Sequence, residues 1–264
     1  MSRLIVRELH HLDEMVAVQE IARKVWGFDD RQLPSTFDLQ VVGHVGGLTA
    51  GAFDGPEMVG FVHGLPRVNL SVPCHHSHLL AVRRGWRGRD VSVRLKLFQR
   101  AWCLERGIRT VTWTYDPLLV RNARLNLVRL RARAVGFLPD LYGSLGGLYG
   151  DLPTDRFEVR WSLDAREVAR AARGAAVERC DATSLPRATP GRIPEGPRVA
   201  VEIPPGAPDL YSDDPKGARR ARSRLRRVAT RLFAEGYEAT SIDPCGETPC
   251  YVFERSSKSS AARR

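Results

Sequence analysis

No stretch of this chain is apolar over the ~20 residues that a membrane-spanning helix needs. The N-terminal MSRLIVRELHHLDE also lacks the order of charge, apolar run and small residues that marks a secretion signal. Both absences point to a cytoplasmic protein with no membrane partner. Cysteine is sparse: five residues, an odd number without regular spacing, argue against a disulfide framework. Cys245 and Cys250 bracket a glycine-containing turn, but two thiols without further ligands fall short of a zinc site. Lysine is nearly missing. Lys24, Lys96, Lys216 and Lys258 stand among 41 cationic residues, set against 30 acidic ones for a net charge of +11.

That excess of arginine invites a nucleic-acid reading, because clustered cations bind phosphate through counterion release. The densest cluster is Arg219, Arg220, Arg222, Arg224, Arg226, Arg227 and Arg231. It reads as the polar face of a C-terminal helix whose apolar side carries Leu225, Val228, Leu232 and Phe233. No nucleic-acid recognition module is visible, and a solvated face is the preferred reading.

What remains is an ordinary globular composition: 264 residues, 43% hydrophobic and 27% charged, enough for one large domain or one plus a smaller one. Residues 3–9 alternate as a first strand, and apolar residues from Leu12 to Val25 recur at helical spacing. A second helix is expected over Thr36–Val45, then a hairpin of Leu48–Phe53 and Met58–Leu65 turning at Asp54-Gly55. The centre of the chain runs from Cys74 to Gly143: strand, basic turn, helix, strand, and a second helix beginning at Asp116-Pro117. In the turn, Arg83, Arg84, Arg87 and Arg89 crowd together with Gly85 and Gly88 directly before a helix bearing Val91, Leu95, Phe98 and Trp102 on one face. The first N–H groups of a helix lack intrahelical partners and lie at the positive end of its dipole. A phosphate-bearing ligand fits that place.

The same turn carries a family resemblance. Arg87-Gly88-Arg89-Asp90-Val91-Ser92, after Leu79-Leu80-Ala81-Val82, resembles the acyl-CoA loop R-G-x-G-x-G/A of the GCN5-related N-acetyltransferases (GNAT). Further segments are similar to a bacterial GNAT group related to amino-acid N-acyl- and N-succinyltransferases: Val25-Trp26-Gly27-Phe28, Gly51 to Gly55, His76-Ser77-His78-Leu79, Trp113 to Leu118, Asn122-Ala123 with Asn126, Tyr142-Gly143, and Leu152 to Arg156. Asp90 and Arg131 stand where the family has glycine. Asp90 either caps the helix, leaving the N–H groups of Val91 and Ser92 to phosphate, or alters the donor site.

The resemblance implies roles for individual residues. Leu80, Ala81, Val82, Arg87, Gly88, Arg89, Val91, Ser92 and Asn122 would bind the coenzyme, and Trp26, Asp116 and Arg156 the acceptor. A strand N–H would polarise the thioester carbonyl. Acyl transfer needs the acceptor amine deprotonated, so a base of near-neutral pKa is useful, and His76 or His78 is the candidate. Asn126 lies near the place of the family's acid tyrosine; Tyr142 or Tyr149 is the substitute, or water protonates the thiolate. Each residue has a plainer reading: the histidines as strand or acceptor positioners, Asp116 as a helix N-cap, Arg156 as a loop anchor, the asparagines as ties to loops. Metal at Cys74, His75, His76 and His78 is disfavoured, because consecutive strand residues do not converge on one ion.

The expectation is therefore an α/β protein of GNAT fold, with a mixed, splayed central sheet flanked by helices and a small C-terminal αβ extension. Residues 1–164 would form the acyl-CoA-binding domain, 165–197 a linker or excursion, 198–255 the extension and 256–264 a disordered tail. The implied activity is direct transfer of an acetyl or succinyl group from acyl-CoA to a primary amine of a small amino-acid-like acceptor. No metal is called for, and a homodimer is left open. The alternatives are a protein or peptide acceptor, a non-catalytic or repurposed GNAT fold, and an arginine-rich nucleic-acid-associated protein.

Overall fold

The computed structural model describes residues 4–68, 72–143, 151–176, 180–205 and 213–256. The chain divides into two compact units, Met1–Trp113 with Ser162–Asp164, and Thr114–Trp161 with Ala165–Arg264.

In the first unit the elements are β1 (Ile5–Glu8), α1 (Leu12–Trp26), α2 (Thr36–Val41), β2 (Leu48–Asp54), β3 (Glu57–Arg67), β4 (Cys74–Val82), a 3-10 turn at Arg84–Trp86, α3 (Val91–Glu105) and the first part of β5 (Thr110–Tyr115). Helix α1 starts where the Glu14 carboxylate accepts from the N–H groups of His10 at 2.8 Å and His11 at 3.1 Å. It ends at Gly27, a left-handed C-cap whose N–H reaches Arg23 O. Between these caps Met15, Val18, Ile21 and Ala22 recur at helical spacing and are buried with Leu9, Leu39, Met58, Phe61 and Ala81.

Strands β1 to β4 pair antiparallel in chain order, while β4 and β5 run parallel, so the sheet is mixed. Strand β4 is irregular on both of its edges. Opposite β3, His63 pairs with Leu79 and Gly64 with Ser77, which leaves His78 as the extra residue of a bulge. Along β5, pairing runs from Cys74↔Thr110 to His76↔Thr112 and stops there, although both strands continue. The two strands part at Ser77 and Trp113.

The second unit holds α4 (Val120–Ala123), a π-helical turn (Arg124–Arg129), β6 (Arg133–Leu138), β7 (Arg156–Ser162) up to Trp161, α5 (Arg166–Ala172), β8 (Arg198–Glu202), α6 (Pro215–Ala234), β9 (Tyr237–Cys245) and β10 (Thr248–Arg255). Its strands lie in the order β7-β6-β9-β10-β8, all antiparallel. Phe157 is fully buried at the middle of its core. The rings of Tyr115, Phe137, Phe233, Tyr251 and Phe253 have centroids 5.2–6.2 Å from it.

Several local expectations change. Helix α2 stops at Val41 rather than Val45. The helix expected from Asp116-Pro117 begins at Val120 and widens at once into the π turn. Pro117 and Leu118 instead follow an Asx-type turn in which Leu118 N–H donates to Asp116 Oδ1 at 2.9 Å. Strand β6 and helix α5 lie where the pattern gave no element. Residues 114–161 group with the C-terminal elements because β6 pairs β9 at Ala134↔Ala239 and Tyr251 Oη donates to Pro117 O at 2.7 Å. Residues 144–150, which include Tyr149, and the tail beyond Ser256 lie outside the described residues.

Candidate active site

The first unit brings together a basic turn and a forked strand pair. Val82 ends β4, and α3 begins at Val91 after Gly88 and Asp90, both in the left-handed region at φ 84° and 56°. Only glycine enters that region without strain from a Cβ, and Asp is among the few side chains that tolerate it. The fourth loop position, glycine in the resembled family, thus keeps its glycine-like backbone here despite carrying Asp90. Asp90 occupies the N-cap position as expected, yet its carboxylate forms no capping hydrogen bond, so it does not consume the first N–H groups of α3. Arg84, Arg87 and Arg89 are exposed around this helix start, and Arg89 lies over the Trp86 ring at 5.0 Å. Arg83 turns away, its Nε donating to Met58 O at 2.7 Å beside Glu57. Exposed cations and a helix N-terminus together suit a phosphate group.

Leu80, Ala81 and Val82 lie on β4 past the fork, where the strand has no pairing to β5. A flexible chain with amide groups can add to such an edge as a strand would. The bulge at His78 sits immediately beside the fork, and a bulge leaves its extra residue outside the ladder. An N–H left outside a ladder can donate to a ligand carbonyl.

Three imidazoles gather at this point. The ring of His78 is 6.1 Å from that of His76 and 6.4 Å from that of His63. His63 is buried, with Nδ1 bonded to Thr49 Oγ1 at 2.9 Å. His76 Nδ1 meets Thr112 Oγ1 at 3.1 Å, and that hydroxyl accepts from Arg67 Nη1 at 3.0 Å. Burial, then the neighbouring His78, then Arg67 and Lys96, push the His76 pKa down to about 4. His76 is therefore neutral at pH 7 and a weaker base than the near-neutral one expected. His78 is exposed at the fork, and the packing around its ring lowers its pKa. Among the described residues no three His, Cys, Asp or Glu side chains are arranged to hold a metal ion.

Trp26 is half-buried against the first core, tilted on Phe28 at 5.2 Å and edge-on to Phe61 at 6.2 Å. Its ring covers apolar side chains.

The remaining predicted site residues belong to the second unit. Asp116 is buried at 1% exposure and receives Arg222 through two nitrogens at 2.8 and 3.3 Å. Arg156 Nη1 lies 3.9 Å from the same carboxylate, and its guanidinium is over the Tyr142 ring at 5.3 Å. Asp116, Arg156 and Tyr142 are thus brought together, around a buried ion cluster. Arg156 stands as a buried partner of Asp116, in keeping with the anchoring role. Asn126 is buried on the π turn and Asn122 half-buried on α4. Arg226 pairs with Asp155, so two arginines of the basic helix are turned inward to carboxylates. Arg219, Arg220, Arg224 and Arg227 remain exposed as the solvated face.

Sequence reasoning passed over Lys96 and Gln99. Helix α3 buries Leu95, Lys96, Gln99, Trp102 and Cys103, a helical stripe with two polar members. Lys96 Nζ donates to Ser77 Oγ at 2.6 Å and Gln99 Oε1 at 3.1 Å, and stands 3.9 Å from the Trp113 ring centroid. Gln99 Nε2 in turn donates to His75 Nε2 at 3.0 Å. The signal was in the sequence: a lysine and a glutamine interrupt an otherwise apolar helix face.

No protein-family model and no curated protein matches the sequence. Solved structures do match. The ribosomal-protein-S18-alanine N-acetyltransferase from Escherichia coli is 13% identical, covering 62% of this chain and 96% of that one with a TM-score of 0.50. A Desulfovibrio desulfuricans protein assigned to the GNAT family of acetyltransferases is 14% identical over 61% and 99% of the two chains, also at 0.50. The ribosomal-protein-S5-alanine acetyltransferase from Vibrio fischeri is 12% identical over 62% and 95%, again at 0.50. With its parallel β4–β5 pair opening into a fork and helices packed on a mixed sheet, the chain has the GNAT fold.

Proposed function

We propose that the protein is an acyl-CoA-dependent N-acyltransferase. The observation that carries this reading is the fork: β4 leaves β5 after His76, a bulge follows at His78, and the same strand runs on into an arginine-lined helix start that its own N-cap carboxylate leaves unbonded. Pyrophosphate would lie at the start of α3, the pantetheine amides along Leu80 to Val82, and the thioester carbonyl at the bulge. An amine attacking that carbonyl forms the C–N bond as the C–S bond breaks, and the thiolate leaves with low basicity, so a strong acid is unnecessary. His78, exposed on the bulge, takes the amine proton; His76, held neutral and bonded to Thr112, orients its neighbours.

The acceptor proposed is a primary amine of amino-acid type, and the donor acetyl- or succinyl-CoA. An α-amino acceptor is in keeping with the alanine acceptors named for the Escherichia coli and Vibrio fischeri proteins.

Calorimetric titration with acetyl-CoA and succinyl-CoA tests the donor reading, with Asp90→Gly alongside. Micromolar binding by the wild type is the expected result. Binding by the variant alone would mean that Asp90 has closed the donor loop and that the fold is repurposed. Absence of binding to both proteins would overturn the proposal. Once an acceptor is found by screening amines, His78→Gln is expected to lower kcat about 100-fold and to remove the acid limb of the pH profile below the ordinary histidine pKa. An unchanged profile would exclude His78 as the base.

A further inference from the structure

Lys96 stands at an unusual place. The last parallel pair of β4 and β5 is His76↔Thr112, and the next residue on each strand is Ser77 and Trp113. Lys96 touches both of these residues just past the last β4–β5 pair, the hydroxyl at 2.6 Å and the indole face at 3.9 Å. Its third contact, Gln99 Oε1, completes a set of three electron-rich partners, which is what an ammonium group with three protons requires. Among the described residues no carboxylate pairs with it. A buried cation without a counter-ion is costly, and this one is 3% exposed. A methionine or leucine would fill the same space at lower cost, so packing alone gives no account of the residue.

We infer that Lys96 is a positioning residue for acyl transfer: its ammonium, wedged between Ser77 and Trp113, fixes the fork and the bulge at His78 against the thioester carbonyl and adds positive charge to the polarisation of that carbonyl. The inference rests on the acyltransferase reading above. The link runs through two bonds, from Lys96 to Ser77 and along the backbone to His78, the extra residue. Gln99 holds the other side, since its oxygen faces Lys96 and its NH2 group faces His75.

Around the fork, burial keeps His78 below the ordinary histidine range, and the other groups facing Lys96 are shifted further from neutrality. On β4, burial first and Lys96 second hold His75 down to about 3, and His76 is down to about 4. On β3, burial and then His78 hold His63 down to about 4, and the Arg67 guanidinium donates to Thr112. On α3, burial pushes Cys103 up to about 12, while burial brings Lys96 itself down to about 7.

The test is the carbonyl stretch of acetyl-CoA, labelled with carbon-13 at the carbonyl and bound to the wild type, Lys96→Met and Lys96→Arg, read by isotope-edited infrared difference spectroscopy beside calorimetric affinity. The wild type should shift the band to lower frequency, and that shift should fade as pH rises through about 7, where the ammonium is lost. Lys96→Met should keep its affinity within about threefold and lose about half of the shift or more; Lys96→Arg should restore part of it. A Lys96→Met protein that binds with an undiminished shift, or a wild-type shift that is constant with pH, overturns the inference. If Lys96→Met fails to fold, the wild-type pH series decides alone. Failure of the wild type to bind acetyl-CoA at all would instead bring down the acyltransferase reading.

Discussion

A left-handed backbone at Arg131 (φ 55°) costs an ordinary L-residue about 1–2 kcal/mol. At Asp90, with φ 56°, the cost is smaller, because its short side chain tolerates this region. Arg131→Gly is therefore expected to stabilise by about 1 kcal/mol, read as a rise of a few degrees in Tm. Asp90→Gly should stabilise less but bind acetyl-CoA several-fold more tightly, since it also removes a negative charge from the phosphate cradle. A fall in Tm for Arg131→Gly would show that the arginine makes contacts worth more than the strain. Gly64 poses the opposite case. A Cβ there would come within 2.2 Å of His75 Nε2 and 2.9 Å of His76 O, a ring and a backbone atom that are both packed in the interior. Gly64→Ala should cost about 1–3 kcal/mol, measured as a lower urea midpoint at unchanged slope. It should also disturb the histidine-bearing strand first, so an unchanged midpoint would mean that the strand has room to shift.

At the scale of elements, α6 is amphipathic in an uncommon way. Leu225, Val228 and Leu232 are buried, as the pattern foretold, but Arg222 is buried with them and clasps Asp116. Asp116→Asn would leave Arg222 and Arg156 as two buried cations facing a neutral amide, so a loss of about 3–5 kcal/mol is expected. Arg222→Met should cost less, because Asp116 keeps Arg156 and the Leu118 N–H. Arg227→Ala, on the exposed face, should stay within about 0.5 kcal/mol. Denaturant unfolding of the three variants checks the order, and equal losses at Asp116 and Arg227 would refute it. The same helix shows what the sequence could tell. Apolar period made α1, α3, α6 and the β2–β3 hairpin legible, and the loop Arg87 to Ser92 marked the donor end of the proposed site. Strand β6 was hidden by its arginine and glycine on a short run. The bulge at His78 and the fork after His76 were hidden because they depend on which residues β3 and β5 present, and no local pattern carries that. The inward turn of Arg222 depends likewise on Asp116, far away in sequence.

For the whole molecule, the buried titratable groups fix a pH dependence of stability whose sign can be worked out. Burial lowers His63 and His76 to about 4 and His75 to about 3, against 6.5 in the unfolded chain. Below pH 6.5 the unfolded chain takes up protons that the folded protein refuses, so stability is whole above that value and falls toward about 4. Each histidine contributes about 1.4 kcal/mol per pH unit in that window. Lys96, at about 7 against 10.5, acts the same way at higher pH: between those values only the unfolded chain keeps the proton, so stability rises as pH rises. Cys103 and Cys250 work against it, because burial lifts both from 9.0 to about 12, and above pH 9 the unfolded chain alone ionises. Urea midpoints should therefore climb steeply from about pH 4 to 6.5, rise further on the Lys96 limb, and turn over near 9. Lys96→Met should erase the rise above about 7 and leave the acid limb intact, since the histidines remain. A wild-type maximum at or below pH 6.5, or a Lys96→Met profile that still climbs above it, would mean that the buried lysine does not titrate in this window.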